Sequence, residues 1–289
     1  MDESTALSCM YAAYGTIGKR IEMKIARVFP TKTSYSPIDE HAYFHEPDMF
    51  TPNYDEIHIS CTFTWDIDKA YRLAKAWECK GNVKVGGVAI DGESDKPFVS
   101  GMYLKKGITI TSRGCPNNCS FCMVRRGLIE FDDFPEGHIV NDNNFLACSD
   151  KHRNLVYKML KNQKKIEFKG GLEARRITPK IAEDLRGLNI EALWLACDRD
   201  TAIKPLKRAV DILKKVGFKN RNLYCYVLIG KEELRLRAVR EMGVMPYAQL
   251  YQAPNKTKTE YTKEMKQYQR LMARPPLTRN IFKDLIEVK

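Results

Sequence analysis

The amino-acid sequence predicts an α/β protein whose parallel sheet carries functional residues at its strand ends. Two patterns support this. From Gly107 onward, short strand-like runs alternate with amphipathic helical stretches, and strands separated by helical crossovers run parallel. A shorter alternation of the same kind occupies residues 56–88. At 289 residues with 44% hydrophobic content, the chain can bury a sizeable core as one large domain or two modest ones. The expected boundaries are an N-terminal segment over 1–100, a core over 101–252 and a basic tail over 253–289.

In the N-terminal segment, 56–60 reads as a strand, 67–78 as a helix, and 83–88 as a second strand containing Gly86-Gly87. This is the pattern of a Rossmann-like, doubly wound unit. The core strands are expected over 108–111, 138–141, 166–169, 190–197, 223–229 and 245–251. A helix over 150–163 sets Leu155, Val156, Met159 and Leu160 on one face. A second, over 179–188, opens with Thr178 as N-cap and Pro179 at its first position. A third covers 204–216 with Pro205 in its first turn, and a fourth covers 231–242 and is closed by Gly243. In the tail, Tyr261, Met265, Tyr268 and Met272 are spaced for one helix face ahead of Pro275-Pro276.

The most informative residues come just after the first core strand. The segment Gly114-Cys115-Pro116-Asn117-Asn118-Cys119-Ser120-Phe121-Cys122 spaces three cysteines as C-x₃-C-x₂-C. Three thiolates can hold three irons of a cubane [4Fe–4S] cluster, which otherwise takes four cysteine ligands. The fourth iron is then open to a ligand that is not protein, and an open metal position is where chemistry takes place. Phe121 can help wall such a cluster from water. Two other readings stay open, because Cys119-Ser120-Phe121-Cys122 alone is also the pattern of a redox dithiol or of half a zinc site. A zinc site would need a fourth ligand that the later sequence does not space in the usual way, and a dithiol would leave Cys115 unexplained.

The run Thr111-Ser112-Arg113-Gly114-Cys115-Pro116-Asn117-Asn118-Cys119-Ser120-Phe121-Cys122 resembles the signature of the radical S-adenosylmethionine (SAM) superfamily. Ile57-His58-Ile59-Ser60-Cys61-Thr62, Gly170-Gly171-Leu172-Glu173-Ala174-Arg175 and Tyr226-Val227-Leu228-Ile229-Gly230 are similar to stretches of a largely uncharacterised radical SAM group of bacterial and phage genomes. The resemblance covers most of the chain. It implies a partial (βα)6 barrel, with Cys115, Cys119 and Cys122 as iron ligands. It also implies SAM chelating the open iron through its amino and carboxylate groups. An electron from an external flavodoxin-like or ferredoxin-like donor would then yield a 5′-deoxyadenosyl radical that functionalises a C–H bond. In such enzymes the cofactor carries the chemistry, while the protein orients it and excludes water. Ser60-Cys61-Thr62 and Gly86-Gly87 further resemble two pieces of a cobalamin-binding domain. The third piece, an Asp-x-His-x-x-Gly ligand motif, is missing, so cobalamin would bind without a protein ligand or not at all; a tight turn also accounts for Gly-Gly.

Working residues are expected at the C-terminal ends of strands, by analogy with closed (βα) barrels. Asn143 and Asn144 come after the second core strand, where the resemblance implies contacts to the methionine part of SAM. Glu173 and Arg175 come after the third, as a carboxylate and a guanidinium suited to the ribose and carboxylate of SAM; a surface ion pair explains them equally. Asp198 ends the run Leu193-Trp194-Leu195-Ala196-Cys197 and could accept from ribose hydroxyls. Tyr226 and Leu228 on the fifth strand, and Gln249 and Tyr251 on the sixth, could line the adenine pocket, with core packing as the alternative. Cys61, Cys148, Cys197 and Cys225 read as buried small hydrophobes.

Nine cysteines, an odd number without dense spacing, suit a reducing compartment in which thiols stay free for metal. The N-terminus begins Met1-Asp2-Glu3, acidic where a secretory signal would be basic. The uncharged stretch over 4–18 is too short to span a bilayer, which takes about 20 apolar residues. A cytoplasmic protein without membrane contact is expected. The net charge is +12, and 204–289 hold 20 Lys and Arg against 8 Asp and Glu, while 1–203 balance at 28 of each. That asymmetry raises nucleic acid as substrate or partner beside a small molecule; for the 204–216 helix a solvated basic face is favoured. The sequence therefore carries two functions: a radical SAM enzyme, or a non-catalytic metal-binding module that recognises nucleic acid.

Overall fold

The computed structural model describes residues 23–91, 102–124, 127–229, 234–253 and 258–273. Met1-Asp2-Glu3, the stretch over 4–18, Gly230 and Pro275-Pro276 lie outside them, as does the first part of the helix expected over 231–242.

The N-terminal unit comprises β1 (Ile25–Val28), β2 (Ala42–Tyr43), β3 (Glu56–Ser60), α1 (Ile67–Trp77), β4 (Asn82–Gly86) and the short α2 (Val88–Asp91). Its four strands are parallel in the order β2-β1-β3-β4. Alternate residues Ala26 and Val28 of β1 and Ile57 and Ile59 of β3 are buried with Ala70, Leu73, Ala74 and Trp77 of α1. The strand at 56–60 and the helix after it form as the sequence predicts. The strand expected over 83–88 gives way at Val88 to α2. β1 and β2 are not predicted by the sequence: they span four and two residues, too few to show a period of two.

The core continues with β5 (Ile108–Thr109), β6 (Ser112–Cys115), β7 (Gly127–Glu130), β8 (Ile139–Val140), α3 (Asp150–Leu160), β9 (Ile166–Leu172), α4 (Pro179–Arg186), β10 (Ile190–Ala196), α5 (Ile203–Lys215), β11 (Leu223–Ile229), α6 (Leu234–Glu241), β12 (Met245–Leu250) and α7 (Lys263–Met272). Six strands form one parallel sheet in the order β12-β11-β10-β9-β8-β5, so each new strand joins the same edge. Three helices are capped by side chains: the Ser149 hydroxyl accepts from His152 N, Thr178 from Ile181 N and Thr262 from Met265 N, each at 3.2 Å. The cap at Thr178 is the one the sequence predicts. In β11, Leu223, Cys225, Val227 and Ile229 are buried against the helices, while Tyr224, Tyr226 and Leu228 alternate onto the opposite face. Leu206, Ala209, Val210 and Leu213 of α5 are buried, and Lys204, Lys207, Lys214 and Lys215 are exposed. The basic excess in this helix is a solvated face, as favoured from the sequence.

β5 ends two residues earlier than predicted. The Thr111 N–H leaves the ladder and donates to the Asp142 carboxylate at 2.6 Å. From Ser112 the chain instead pairs with β7 in an antiparallel ribbon, ending with Cys115 opposite Gly127. The cysteine loop thus springs from the tip of a ribbon that the sequence does not announce. In the tail, Gln269 of α7 donates to Ala248 O of β12 at 3.1 Å, and Met272 joins the main core. Among the described residues, no helix is long and apolar enough to cross a membrane.

Candidate metal centre at the cysteine loop

Cys115, Cys119 and Cys122 line one pocket with Asn117, Asn118, Ser120 and Val124. The loop closes on itself, with Cys122 N donating to Cys119 O at 3.1 Å and Asn117 N approaching Cys115 Sγ at 3.4 Å. Burial pushes the Cys122 thiol up, and the charges of Cys119, Cys115 and Asp198 add to the shift, so these groups converge. A single tetrahedral zinc ion needs sulfurs within about 4 Å of one another, given Zn–S near 2.3 Å. Among the described residues, the His, Cys, Asp and Glu group whose donor atoms all lie within 4.8 Å of one another is Asp142, Cys148 and His152, not the three loop cysteines.

Two asparagines expected at this site do meet the loop. Asn143 Oδ1 accepts from Gly114 N at 2.9 Å. Asn144 Nδ2 donates to Cys115 Sγ at 3.2 Å and to Glu173 Oε2 at 2.8 Å. The carboxylate contact fixes which way the amide faces, since the oxygen there would repel it. Asn144 Oδ1 is buried without a hydrogen-bond partner, unusual for a buried acceptor. Glu173 also receives Arg175 Nε at 2.9 Å and Arg176 Nε at 2.8 Å. Burial works to raise its pKa, but hydrogen bonds from Asn144, Arg176, Asn117 and Arg175 outweigh this and bring it down to about 2. It is a held carboxylate that orients Asn144. Arg175 forms the alternative ion pair with Glu173, its side chain 63% exposed.

A bulge delivers Glu173 to this place. Phe168 is opposite Leu193 and Leu172 opposite Leu195, so Lys169, Gly170 and Gly171 face the single residue Trp194. Extra residues on one strand bend it and re-aim the side chains beyond the bend. Gly171 has φ +89°, a conformation that favours glycine.

Beneath the ribbon, Asp142 is 1% exposed and anchors the root of the loop. It accepts from Thr111 N at 2.6 Å, Thr111 Oγ1 at 2.5 Å and Ser112 Oγ at 2.9 Å. Burial raises its pKa against those hydrogen bonds. His152 Nε2 lies 3.0 Å from the Thr111 hydroxyl, and burial lowers its pKa. Cys148 is buried as expected, and burial pushes its thiol up to about 12, but its surroundings are polar rather than those of a simple hydrophobe. The Thr111 hydroxyl joins Asp142 and His152 through hydrogen bonds, and the donor atoms of Asp142, Cys148 and His152 all lie within 4.8 Å of one another.

The remaining candidates divide. The Arg199 guanidinium lies 4.9 Å from the Phe121 ring centre, covering it at the edge of the loop. Asp198 accepts from Leu228 N at 3.2 Å, and burial raises its pKa. Tyr226 stacks in an aromatic cluster on the sheet and donates to Lys169 O at 3.1 Å. Gln249 is exposed on the edge strand β12. Asn117, Arg176, Thr111, Ser112 and Asp142 are not given a role by sequence reasoning; an acid two residues after a two-residue apolar strand is the signal for Asp142. No protein-family model matches the chain, and the search of curated proteins found no match.

Proposed function

We propose that the protein is a radical SAM enzyme that binds a [4Fe–4S] cluster through Cys115, Cys119 and Cys122. When bound, the cluster supplies the electron that cleaves SAM to the 5′-deoxyadenosyl radical used to functionalise a C–H bond. The observation that carries this reading is Asn144. Its amide nitrogen contacts Cys115 and Glu173, while its buried oxygen lacks a donor. An amine ligating iron beside the cysteines would supply one through its N–H, and the amino group of SAM would have that chemistry when it chelates the open iron. Glu173, fixed by its hydrogen bonds, holds the amide so that its oxygen stays available. Phe121 under Arg199 shields the loop.

The sheet supports the same reading. Six parallel strands joined in chain order at one edge, with α3–α6 packed on one face, suit curling into a partial (βα)6 barrel whose C-terminal rim holds the loop. We take the electron donor to be a flavodoxin-like or ferredoxin-like protein, and the setting to be the reducing cytoplasm. Cobalamin is not assigned: the N-terminal unit offers no histidine motif for it.

Anaerobic reconstitution with iron and sulfide, followed by reduction with SAM present, tests the reading. The expected outcome is a brown protein carrying iron and acid-labile sulfide that releases 5′-deoxyadenosine. A filled cluster that yields none would overturn the enzyme. Zinc in a colourless protein purified without oxygen would favour the metal-binding nucleic-acid module instead.

A further inference from the structure

At the root of the ribbon, a second set of metal-binding side chains meets outside the cysteine pocket. Asp142 follows β8, while Cys148 stands just before the Ser149 cap of α3 and His152 lies in the first turn of that helix. The three residues are 1%, 2% and 4% exposed, and a donor atom from each lies within 4.8 Å of the other two. Two hydroxyls from the ribbon join them. Thr111 Oγ1 is 2.5 Å from Asp142 Oδ2 and 3.0 Å from His152 Nε2. Ser112 Oγ donates to Asp142 at 2.9 Å and also bonds the Cys148 side chain.

Among the described residues, Asp142 forms no ion pair. Buried charges are ordinarily matched by an opposite charge or bound to a metal. The neighbours do not supply that charge, because burial disfavours the imidazolium form of His152 and a thiol carries none. A divalent cation does supply it. With the Asp142 carboxylate and the Cys148 thiolate as ligands, its two positive charges are balanced and the buried group is neutral.

We infer that Asp142, Cys148 and His152 bind one zinc ion, separate from the cluster and not dependent on the enzyme proposed above. Thiolate, imidazole and carboxylate are the three ligand types that zinc takes. Calcium and magnesium call for oxygen ligands alone, and mixed sites hold zinc more tightly than manganese or ferrous iron. The Thr111 hydroxyl, or a water in its place, supplies the fourth ligand. Zinc bonds of about 2.0–2.3 Å set tetrahedral ligands roughly 3.5 Å apart, so the donors close in by about 1 Å as the ion binds. The ion deprotonates the Cys148 thiol, whose proton passes to solvent. Buried on all sides, the site is structural: it ties the end of β8 and the start of α3 to the residues from which the cysteine ribbon springs.

The loop thiols would also take zinc, so binding is measured on the full chain with Cys115→Ala, Cys119→Ala and Cys122→Ala combined. After chelation and dialysis against zinc, metal analysis should find one zinc per chain. Cobalt(II) in its place should give a thiolate-to-metal charge-transfer band. Cys148→Ser, His152→Gln and Asp142→Asn, each added singly, should lower zinc affinity at least about tenfold, and Cys148→Ser should also remove the band. The melting temperature of the parent chain should rise with zinc concentration, because an ion held only by the folded state stabilises it. That readout decides the matter even where a ligand variant does not fold. A folded parent chain that retains no zinc, gives no cobalt–thiolate band or melts at the same temperature at every zinc concentration would overturn the site. So would undiminished zinc affinity in the folded ligand variants, which would put the ion elsewhere. Since the loop thiols take no part in these measurements, failure of the cluster reading would leave their result standing.

Discussion

The carbonyl oxygen of Asp142 stands 1.8 Å from where a β-carbon on Gly170 would be. The bulge of β9 therefore presses its backbone directly onto the residue that anchors the cysteine ribbon. Gly170→Ala must push the two apart, and backbone cannot yield as a side-chain tip does. A cost of roughly 1–3 kcal/mol is expected, together with reduced iron content after reconstitution, because Thr111 and Ser112 shift with Asp142. Thermal melting and iron analysis of the variant check this. Gly171→Ala has room, and only its φ of +89° is unfavourable, so a smaller cost of about 1–2 kcal/mol is expected with iron content kept.

Asn144→Ala separates orientation from cluster assembly. The three cysteines remain, so iron and sulfide should load as in the native chain. Losing one hydrogen bond to the bound amine lowers affinity by about 0.5–1.5 kcal/mol, so SAM binding to the reconstituted protein should weaken about twofold to tenfold. Equal loss of iron would show that the Asn144–Cys115 contact supports the loop instead.

The alternation of strand and helix is legible because burial enforces it. β11 matches the run 223–229 residue for residue, since Leu223, Cys225, Val227 and Ile229 all face helices. β1, β2 and the β6–β7 ribbon leave no such trace for the opposite reason. They are two to four residues long, and in the ribbon glycines stand where a strand would show side chains. At the site, the cysteines and the Asn143-Asn144 pair can be read from spacing and position. The internal hydrogen bonding of Glu173 cannot, because it depends on a bulge that only the pairing of β9 with β10 reveals. Asp142 lies in plain view beside those asparagines, but a buried carboxylate is recognised by its donors, and these come from about 30 residues away.

Glu173 makes acid stability testable. Its pKa falls from 4.5 to about 2 on folding, so the native state binds the proton less tightly than the unfolded chain does. The contribution is fully present above pH 4.5 and is lost as pH falls through the folded value. With its side chain 13% exposed, the shift is worth on the order of 3 kcal/mol. Urea unfolding of the cluster-free chain between about pH 7 and about pH 3 should show stability falling with acid. Glu173→Gln should be less stable at neutral pH and should show a flatter fall. A variant with the native pH profile would mean that the four donors do not act on this carboxylate.

Replacing Cys115, Cys119 or Cys122 singly with Ala should each abolish the intact cluster and SAM cleavage together, because each thiolate is assigned its own iron. Cys148→Ala provides the contrast. Its thiol is 2% exposed and pushed up to about 12, so it stays protonated and is a poor ligand in competition with the loop. Removing one buried sulfur should lower stability by roughly 1–2 kcal/mol while iron, sulfide and 5′-deoxyadenosine yield remain near native levels. Iron and sulfide counts with the visible absorption of each variant decide the assignment. Full cluster in Cys119→Ala would show that the loop ligands are wrongly assigned. Loss of cluster in Cys148→Ala without loss of fold would move a ligand to the group formed by Asp142 and His152.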